Sequence, residues 1–212
     1  MKALPTPYYD CDGITIYHGD CREILPYLPK VDLVLTDPPY GVGFQYASYQ
    51  DSLDGWKALM GDLVPWIRNN SSMGILPSCQ IKQLGWIYEL YPPDWLLCWY
   101  KGSPGHVAFV GFNDWEPLLV YGKRKGLHMH DYFYCQPAPA DNGHPCPKPI
   151  KWANHLIGKT TKQDETVLDP FMGSGTTLVA AKQLHRKAIG IEIEEKYVEI
   201  AIKRLGQGVL AL

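Results

Sequence analysis

The chain has 212 residues, 46% hydrophobic and 20% charged, enough to bury one good-sized core and too few for a second. Its formal net charge of −2 excludes a global basic field, so contact with nucleic acid has to rest on local basic clusters. No stretch approaches the roughly 20 apolar residues of a membrane span, and MKALPTPYYD lacks the basic-then-apolar grading of a signal peptide; no membrane contact is expected, and the protein is expected to be soluble and cytoplasmic.

Ile14 to Tyr17 opens a series of short runs rich in Val, Ile, Leu and aromatics, and Val31 to Thr36 is the second. Trp56 to Ile67 places Trp56, Leu59, Met60, Leu63 and Ile67 on one helical stripe. Strand-like runs follow at Met73 to Leu76, Trp95 to Trp99 and Pro117 to Tyr121. From Gly122 to Pro149 the periodic pattern gives way to basic residues, histidines, prolines and glycines, which predicts a surface excursion suited to substrate selection. Thr166 to Leu168 and Ala188 to Ile191 are the last two strands, each followed by a helical stripe, Thr176 to Leu184 and Tyr197 to Leu205. Strands alternating with helices predict an α/β fold: a mostly parallel sheet covered on both faces, in one domain spanning 1–212. The six cysteines, Cys11, Cys21, Cys79, Cys98, Cys135 and Cys146, form no C-x-x-C pair and read as reduced thiols.

Two motifs carry chemistry. Asp37-Pro38-Pro39-Tyr40 follows the strand VDLVLT at its C-terminal end, where open α/β sheets bind ligands. The prolines fix the backbone and remove two N–H donors, so the turn offers carbonyl oxygens and the Asp37 carboxylate, an acceptor-only surface. Such a surface suits an exocyclic amine of adenine or cytosine, whose lone pair is delocalised into the ring. Asp37 and the Pro38 carbonyl, each accepting one N–H, would return density to that nitrogen, while Tyr40 offers a face for stacking on a base taken out of the duplex.

The second motif runs from Thr166 through Asp169, Phe171, Gly173, Ser174 and Gly175 to Thr176 and Thr177, a strand passing into a Gly-rich turn and a helix. Glycines allow close backbone approach, and free N–H groups at the helix start favour an anionic group. A P-loop would need a lysine that is absent, and the dinucleotide fingerprint would need glycine where Leu178 stands. About twenty residues on, Glu192 ends the next strand, placed to accept both hydroxyls of a ribose. A pocket for a ribose and a carboxylate, without a pyrophosphate, suits S-adenosylmethionine.

On these residues the sequence resembles the DNA amino-methyltransferases, in the permuted group where D-P-P-Y precedes D-P-F-x-G-S-G-T. Tyr17-His18-Gly19-Asp20 matches the segment before the catalytic strand, and His144-Pro145-Cys146-Pro147-Lys148-Pro149 matches the H-P-x-x-K-P element before the cofactor motif. The resemblance implies a Rossmann-like methyltransferase fold with seven strands and transfer of a methyl group to the exocyclic amine of a flipped base in double-stranded DNA. It implies Asp37, Pro38, Pro39 and Tyr40 as catalytic. It further implies that Asp169, Phe171, Gly173, Ser174, Gly175 and Thr176 line the methionine and adenosine, Glu192 the ribose, and Asp20 the cofactor adenine. Lys148 would start a helix packed over the methionine end. Aspartate at position 37 is typical of the adenine-N6 enzymes and serine of the cytosine-N4 enzymes of this group, which favours adenine.

Other readings are weaker. Pro145-Cys146 imitates the nucleophile of a cytosine-C5 methyltransferase but lies in a proline-rich loop rather than after a strand. His128, His130, Cys135, His144 and Cys146 are of metal-ligand type without metal-site spacing. A methyltransferase-like DNA-binding subunit without turnover would be free to lose the motifs kept here. For DNA contact, Lys123-Arg124-Lys125 reads as a phosphate-neutralising cluster beside the catalytic face, and Gly41 to Gly55, carrying Phe44, Tyr46 and Tyr49, as a loop hinged at Gly41 and Gly43 that closes over the base. The target-recognition insertion spans only about 122–143, so either the recognition site is short or a second copy of the chain supplies contacts. No nuclease motif is visible, so any restriction partner would be another chain.

Overall fold

The computed structural model describes residues 4–45, 48–77, 81–102, 107–108, 111–112, 114–124, 129–137 and 148–207. All seven expected strands form, as β2 (Ile14–His18), β3 (Val31–Leu35), β4 (Ser71–Pro77), β5 (Trp95–Tyr100), β8 (Trp115–Gly122), β10 (Thr166–Asp169) and β11 (Lys187–Glu192). Two edge strands, β1 (Tyr9–Cys11) and β9 (Tyr132–Tyr134), extend the sheet to the order β1-β2-β11-β10-β3-β4-β8-β5-β9. A separate hairpin, β6 (Val107–Ala108) with β7 (Gly111–Phe112), lies between β5 and β8. Only β1 and β8 run against the rest.

Helices cover both faces. One layer holds α4 (Ile150–Thr160), α5 (Thr176–Gln183) and α6 (Glu195–Gly206), which bury Trp152, Leu178 and Val198 against Ile16, Leu33, Leu35 and Ile75. The other holds α1 (Cys21–Ile24), α2 (Leu53–Asn70) and α3 (Ile81–Leu90), which bury Trp56, Leu63 and Ile87 against Val34, Leu119 and Tyr121. The α2 stripe read from the sequence is the buried one, and Ser52 caps that helix by accepting from the Gly55 N–H at 3.1 Å. No described helix is long and apolar enough to cross a membrane.

The topology fixes where a ligand binds. From β10 the chain crosses through α5 to β11 on one side; from β3 it crosses through α2 to β4 on the other. The strand order therefore reverses between β10 and β3, and at such a switch point the crevice opens beyond the C-terminal ends of the strands. Both motifs leave their strands at that crevice.

The same topology places Lys123 and Arg124, expected beside the catalytic face, away from it. Because β8 is reversed, with Met73 opposite Gly122 and Pro77 opposite Leu118, its last residue lies at the edge where the parallel strands begin. Lys123 and Arg124 thus leave at the far edge of the sheet from the catalytic turn; Lys125 lies outside the described residues. Arg124 is moreover committed internally: it donates to the Thr160 carbonyl at 2.7 Å and pairs with Glu165 at 2.5 Å, with 16% of its side chain exposed. That carboxylate neighbour raises the Arg124 pKa further, and the Arg124 guanidinium in turn holds the Glu165 carboxyl low. The expected recognition insertion, 122–143, likewise begins at the far edge, and among its described residues β9 runs parallel to β5 toward the catalytic edge. At the catalytic edge β5 ends and β8 begins, tied where Lys101 N donates to the Asp114 carbonyl at 2.7 Å.

Arg124→Ala is expected to lower stability in urea by about 1–2 kcal/mol through loss of a half-buried tie, while DNA affinity and its salt dependence stay at wild-type values. A reduced salt slope in the variant would return the cluster to the DNA.

Candidate active site

The first motif takes its position from β3, which sits between β10 and β4 with Val34 beside Leu168 and Gly74. Thr36 continues the strand far enough for its N–H to reach the Ile75 carbonyl at 3.2 Å, after which Asp37-Pro38-Pro39-Tyr40 turns into the crevice. The Tyr40 carbonyl accepts from the buried Gln83 amide at 2.8 Å, so α3 pins the end of the turn.

The expected flexible loop after Tyr40 is instead tied down by a residue the sequence reading passed over. The buried Asp51 carboxylate accepts from the backbone N–H groups of Gly41 at 2.6 Å, Val42 at 2.9 Å and Phe44 at 3.0 Å. Gly41 holds φ +67°, and a Cβ there would lie 2.7 Å from Trp56 Cβ, so its backbone is packed against α2. Tyr49 lines the central cavity alongside Asp20 and Arg22, whereas Tyr46 lies outside the described residues.

Asp37 stands in a chain of polar contacts. Lys148 Nζ is 2.5 Å from Asp37 Oδ2, and the Tyr40 hydroxyl is 2.6 Å from Asp37 Oδ1 and 3.0 Å from Glu116 Oε1. Lys101 Nζ closes on Glu116 Oε2 at 2.8 Å. Burial, with these carboxylates around it, pushes the Tyr40 phenol well above its usual range, so it stays protonated. Lys148 does precede a helix, α4, as expected, but its ammonium is engaged with Asp37; it also stands 5.7 Å from the centre of the Tyr40 ring. The other described residue of that element, Pro149, is the N-cap of α4, while His144, Pro145, Cys146 and Pro147 lie outside the described residues.

The second motif supplies the opposite wall. Thr36 donates to Asp169 Oδ1 at 2.7 Å, which clasps the two motifs together, and the Phe171 N–H reaches the same oxygen at 3.1 Å. Burial raises the Asp169 carboxyl to about 6, partly offset by those hydrogen bonds. Gly175 caps α5 at φ +81° with its missing Cβ 2.7 Å from Ala201 Cβ, so only glycine brings the turn so close to α6. From α6, Arg204 donates to the Ser174 carbonyl at 2.5 Å and lies 3.3 Å from Thr176 Oγ1, a support for the Gly-rich turn that no motif announced.

Glu192 sits where β11 ends, its Oε2 accepting from Gly173 N at 2.9 Å and its Oε1 from Glu194 N at 2.8 Å. Each oxygen keeps a further lone pair. Burial raises this carboxyl too. Asp20 caps α1 and is gripped by Arg22, which holds its carboxyl low. Asp20, Asp37, Tyr40, Lys148, Asp169 and Glu192 border one cavity of about 340 Å³, a size suited to a small organic ligand. With buried acceptors at Asp169 and Glu192 and a glycine turn between them, its residues fit S-adenosylmethionine, which brings an ammonium group and a ribose diol. Among the described residues no group of His, Cys, Asp and Glu is arranged to hold a metal ion.

Because the Asp169 pKa is about 6 in the fold against 3.8 in the open chain, the native state binds the extra proton between those values. Its contribution favours folding below about pH 4 and is lost as pH rises through 6, about 3 kcal/mol in all. In the ligand-free protein, Asp169→Asn is expected to flatten that pH dependence of stability in urea, with the largest gain over wild type above pH 6; equal slopes would contradict a buried ionised Asp169.

The chain has counterparts among known proteins. Residues 100–203 match the N6/N4 DNA methylase family. The type II methyltransferase M2.DpnII of Streptococcus pneumoniae is 50% identical over 250 aligned residues, covering 95% of this chain and 93% of the relative. M.ScaI of Streptomyces caespitosus is 26% identical over 96% of this chain and 85% of its own length. Among solved structures, the cytosine-N4-specific PvuII DNA methyltransferase superposes with a TM-score of 0.76 at 17% identity, covering 97% of this chain and 90% of that one, a likeness of fold alone. The M1.HpyAVI complex with S-adenosylmethionine gives 0.69 at 26% identity, covering 91% and 98%. The chain belongs to the amino-methyltransferase family of DNA methylases, whose methyl donor is S-adenosylmethionine.

Proposed function

We propose that the protein transfers the methyl group of S-adenosylmethionine to N6 of an adenine taken out of double-stranded DNA, as a sequence-specific modification methyltransferase. The observation that carries this reading is the Asp37 carboxylate, held at the switch-point crevice within one cavity with the Gly-rich turn. The donor brings an electrophilic methyl group on a sulfonium. Everything else is the work of the protein: Asp169 accepts the ammonium, Glu192 the ribose diol, and Phe171 with Gly173, Ser174, Gly175 and Thr176 shapes the wall between them. Asp20, tied to Arg22, borders the end where the cofactor adenine lies.

At the other end Asp37 and the Pro38 carbonyl accept the two N–H bonds of the target amine. Drawing on those hydrogens localises the nitrogen lone pair and turns it toward the methyl group, a positioning and electrostatic effect. Pro39 fixes the turn, and Tyr40 stacks on the base, worth on the order of 1–3 kcal/mol. In the resting protein the Lys148 ammonium bonds to Asp37, which supports the use of this carboxylate as a receptor for N–H donors. Base entry then requires Lys148 to withdraw from Asp37.

Adenine is favoured over cytosine because the residue that meets the amine is aspartate, by resemblance the choice of adenine-N6 enzymes with this motif order. Relatives named as type II methyltransferases support a modification role. Because the basic cluster lies at the far edge, target recognition is assigned to chain at the catalytic edge, including the β5–β8 connection; a second copy of the chain would extend that surface.

Unmethylated DNA incubated with protein and S-adenosylmethionine, then digested to nucleosides, is expected to yield N6-methyldeoxyadenosine by mass spectrometry. N4-methyldeoxycytidine would keep the mechanism and overturn the base. Unmodified DNA from protein that binds the cofactor would favour a DNA-binding subunit without turnover.

A further inference from the structure

Glu116 belongs to neither motif, yet it borders the same cavity as Asp37 and Tyr40. It reaches the catalytic edge because β8 is reversed: its first residues, Trp115 and Glu116, pair with Tyr100 and Trp99 at the end of β5. Its two oxygens look opposite ways. Oε1 lies 3.0 Å from the Tyr40 hydroxyl, itself 2.6 Å from Asp37 Oδ1, and Oε2 lies 2.8 Å from Lys101 Nζ. The side chains of Glu116 and Lys101 are 16% and 23% exposed, so the outer end of this chain of contacts touches water.

Amino-methylation has a proton to dispose of. The nitrogen lone pair forms the N–C bond as the methyl–sulfur bond breaks and its electron pair stays on sulfur. The nitrogen is left cationic, with one proton more than the product amine holds. Asp37, which accepts an N–H bond of that nitrogen in the reading above, is the nearest base, and it must be an empty acceptor again before the next base enters. Of the two side chains bonded to Asp37, Lys148 is an ammonium with donors only, whereas a hydroxyl both donates and accepts. Tyr40 is thus the group that can pass a proton on.

We propose that Glu116 is the outlet for the amine proton, reached through Tyr40, an inference that rests on Asp37 receiving the amine. The proton moves from the methylated nitrogen to the Asp37 carboxylate, whose rotation brings the protonated oxygen to Tyr40. The Tyr40 oxygen takes it up while the Tyr40 hydroxyl hydrogen passes to Glu116 Oε1. Glu116 then releases a proton to water beside Lys101, whose ammonium holds the carboxylate in place. Asp37, Tyr40 and Glu116 end as they began, and the positive charge brought by the sulfonium leaves as one solvated proton. Glu116 acts through Tyr40 and is a positioning and relay residue rather than one that touches the base.

The test is multiple-turnover methylation of DNA by the full chain, alongside melting temperature and S-adenosylmethionine affinity for each variant. Glu116→Gln keeps the volume and a hydrogen-bond acceptor for Tyr40 but ends proton uptake. It is expected to slow transfer on the order of tenfold or more with melting temperature and cofactor affinity unchanged. Tyr40→Phe cuts the same relay, so the double variant is expected to be no slower than the slower single variant. In Glu116→Ala, added formate is expected to restore the rate by filling the vacated acceptor position. Wild-type rates in Glu116→Gln, or an alanine variant that formate leaves unimproved, would overturn the proposal. Asp37→Ala separates the two readings: if it is inactive while Glu116→Gln is fully active, the outlet alone falls, and if Asp37→Ala is itself fully active, the reading beneath it falls as well.

Discussion

The parallel pairing of β10 with β3 joins stretches of chain far apart in sequence: Thr36 and Asp169, hydrogen-bonded at 2.7 Å, are 133 residues apart. From that pairing the rest follows. Two strands whose crossovers leave in opposite directions open a crevice at their C-terminal ends, and each ends in a motif whose backbone geometry is unusual, a double proline after β3 and a glycine turn after β10. Neither motif makes a site alone. The Asp37 turn brings acceptors without a binding pocket, and the Gly-rich turn brings a pocket without a group to meet an amine.

Acidity is the second theme of the site. Asp37, Asp169, Glu192 and Glu116 border one cavity in a chain whose net charge is only −2, and each is managed differently. Asp37 and Glu116 are paired with Lys148 and Lys101. Asp169 and Glu192 are buried among hydrogen-bond donors, and both carboxyls are pushed up by desolvation. Buried carboxylates cost the empty protein stability that their hydrogen bonds only partly offset, and a ligand with ammonium and hydroxyl donors would relieve them further. Function here is bound to a local loss of stability.

Much of this was legible in the letters, and what was not has physical reasons. The seven strands and the helices around Trp56–Ile67, Thr176–Leu184 and Tyr197–Leu205 show regular apolar periodicity and form where expected. The helix α3 went unread although IKQLGWIYEL carries an apolar stripe, and α4 was implied only through the resemblance at Lys148. Asp51, Glu116 and Arg204 were invisible because their roles depend on partners remote in sequence or on loop backbone, which no local pattern records. The basic cluster at Lys123 and Arg124 was misplaced for a related reason: composition gives the charge, while the direction of β8 decides which edge of the sheet it occupies.

The central claim is that Asp37 serves the chemistry and the Gly-rich turn serves the cofactor, with one cavity joining them. Comparing wild type with Asp37→Ala for both S-adenosylmethionine binding by calorimetry and tritiated methyl transfer to DNA tests this most directly. The account predicts cofactor affinity within about threefold of wild type and transfer reduced by about a hundredfold or more. Transfer at the wild-type rate, with cofactor bound, would contradict it.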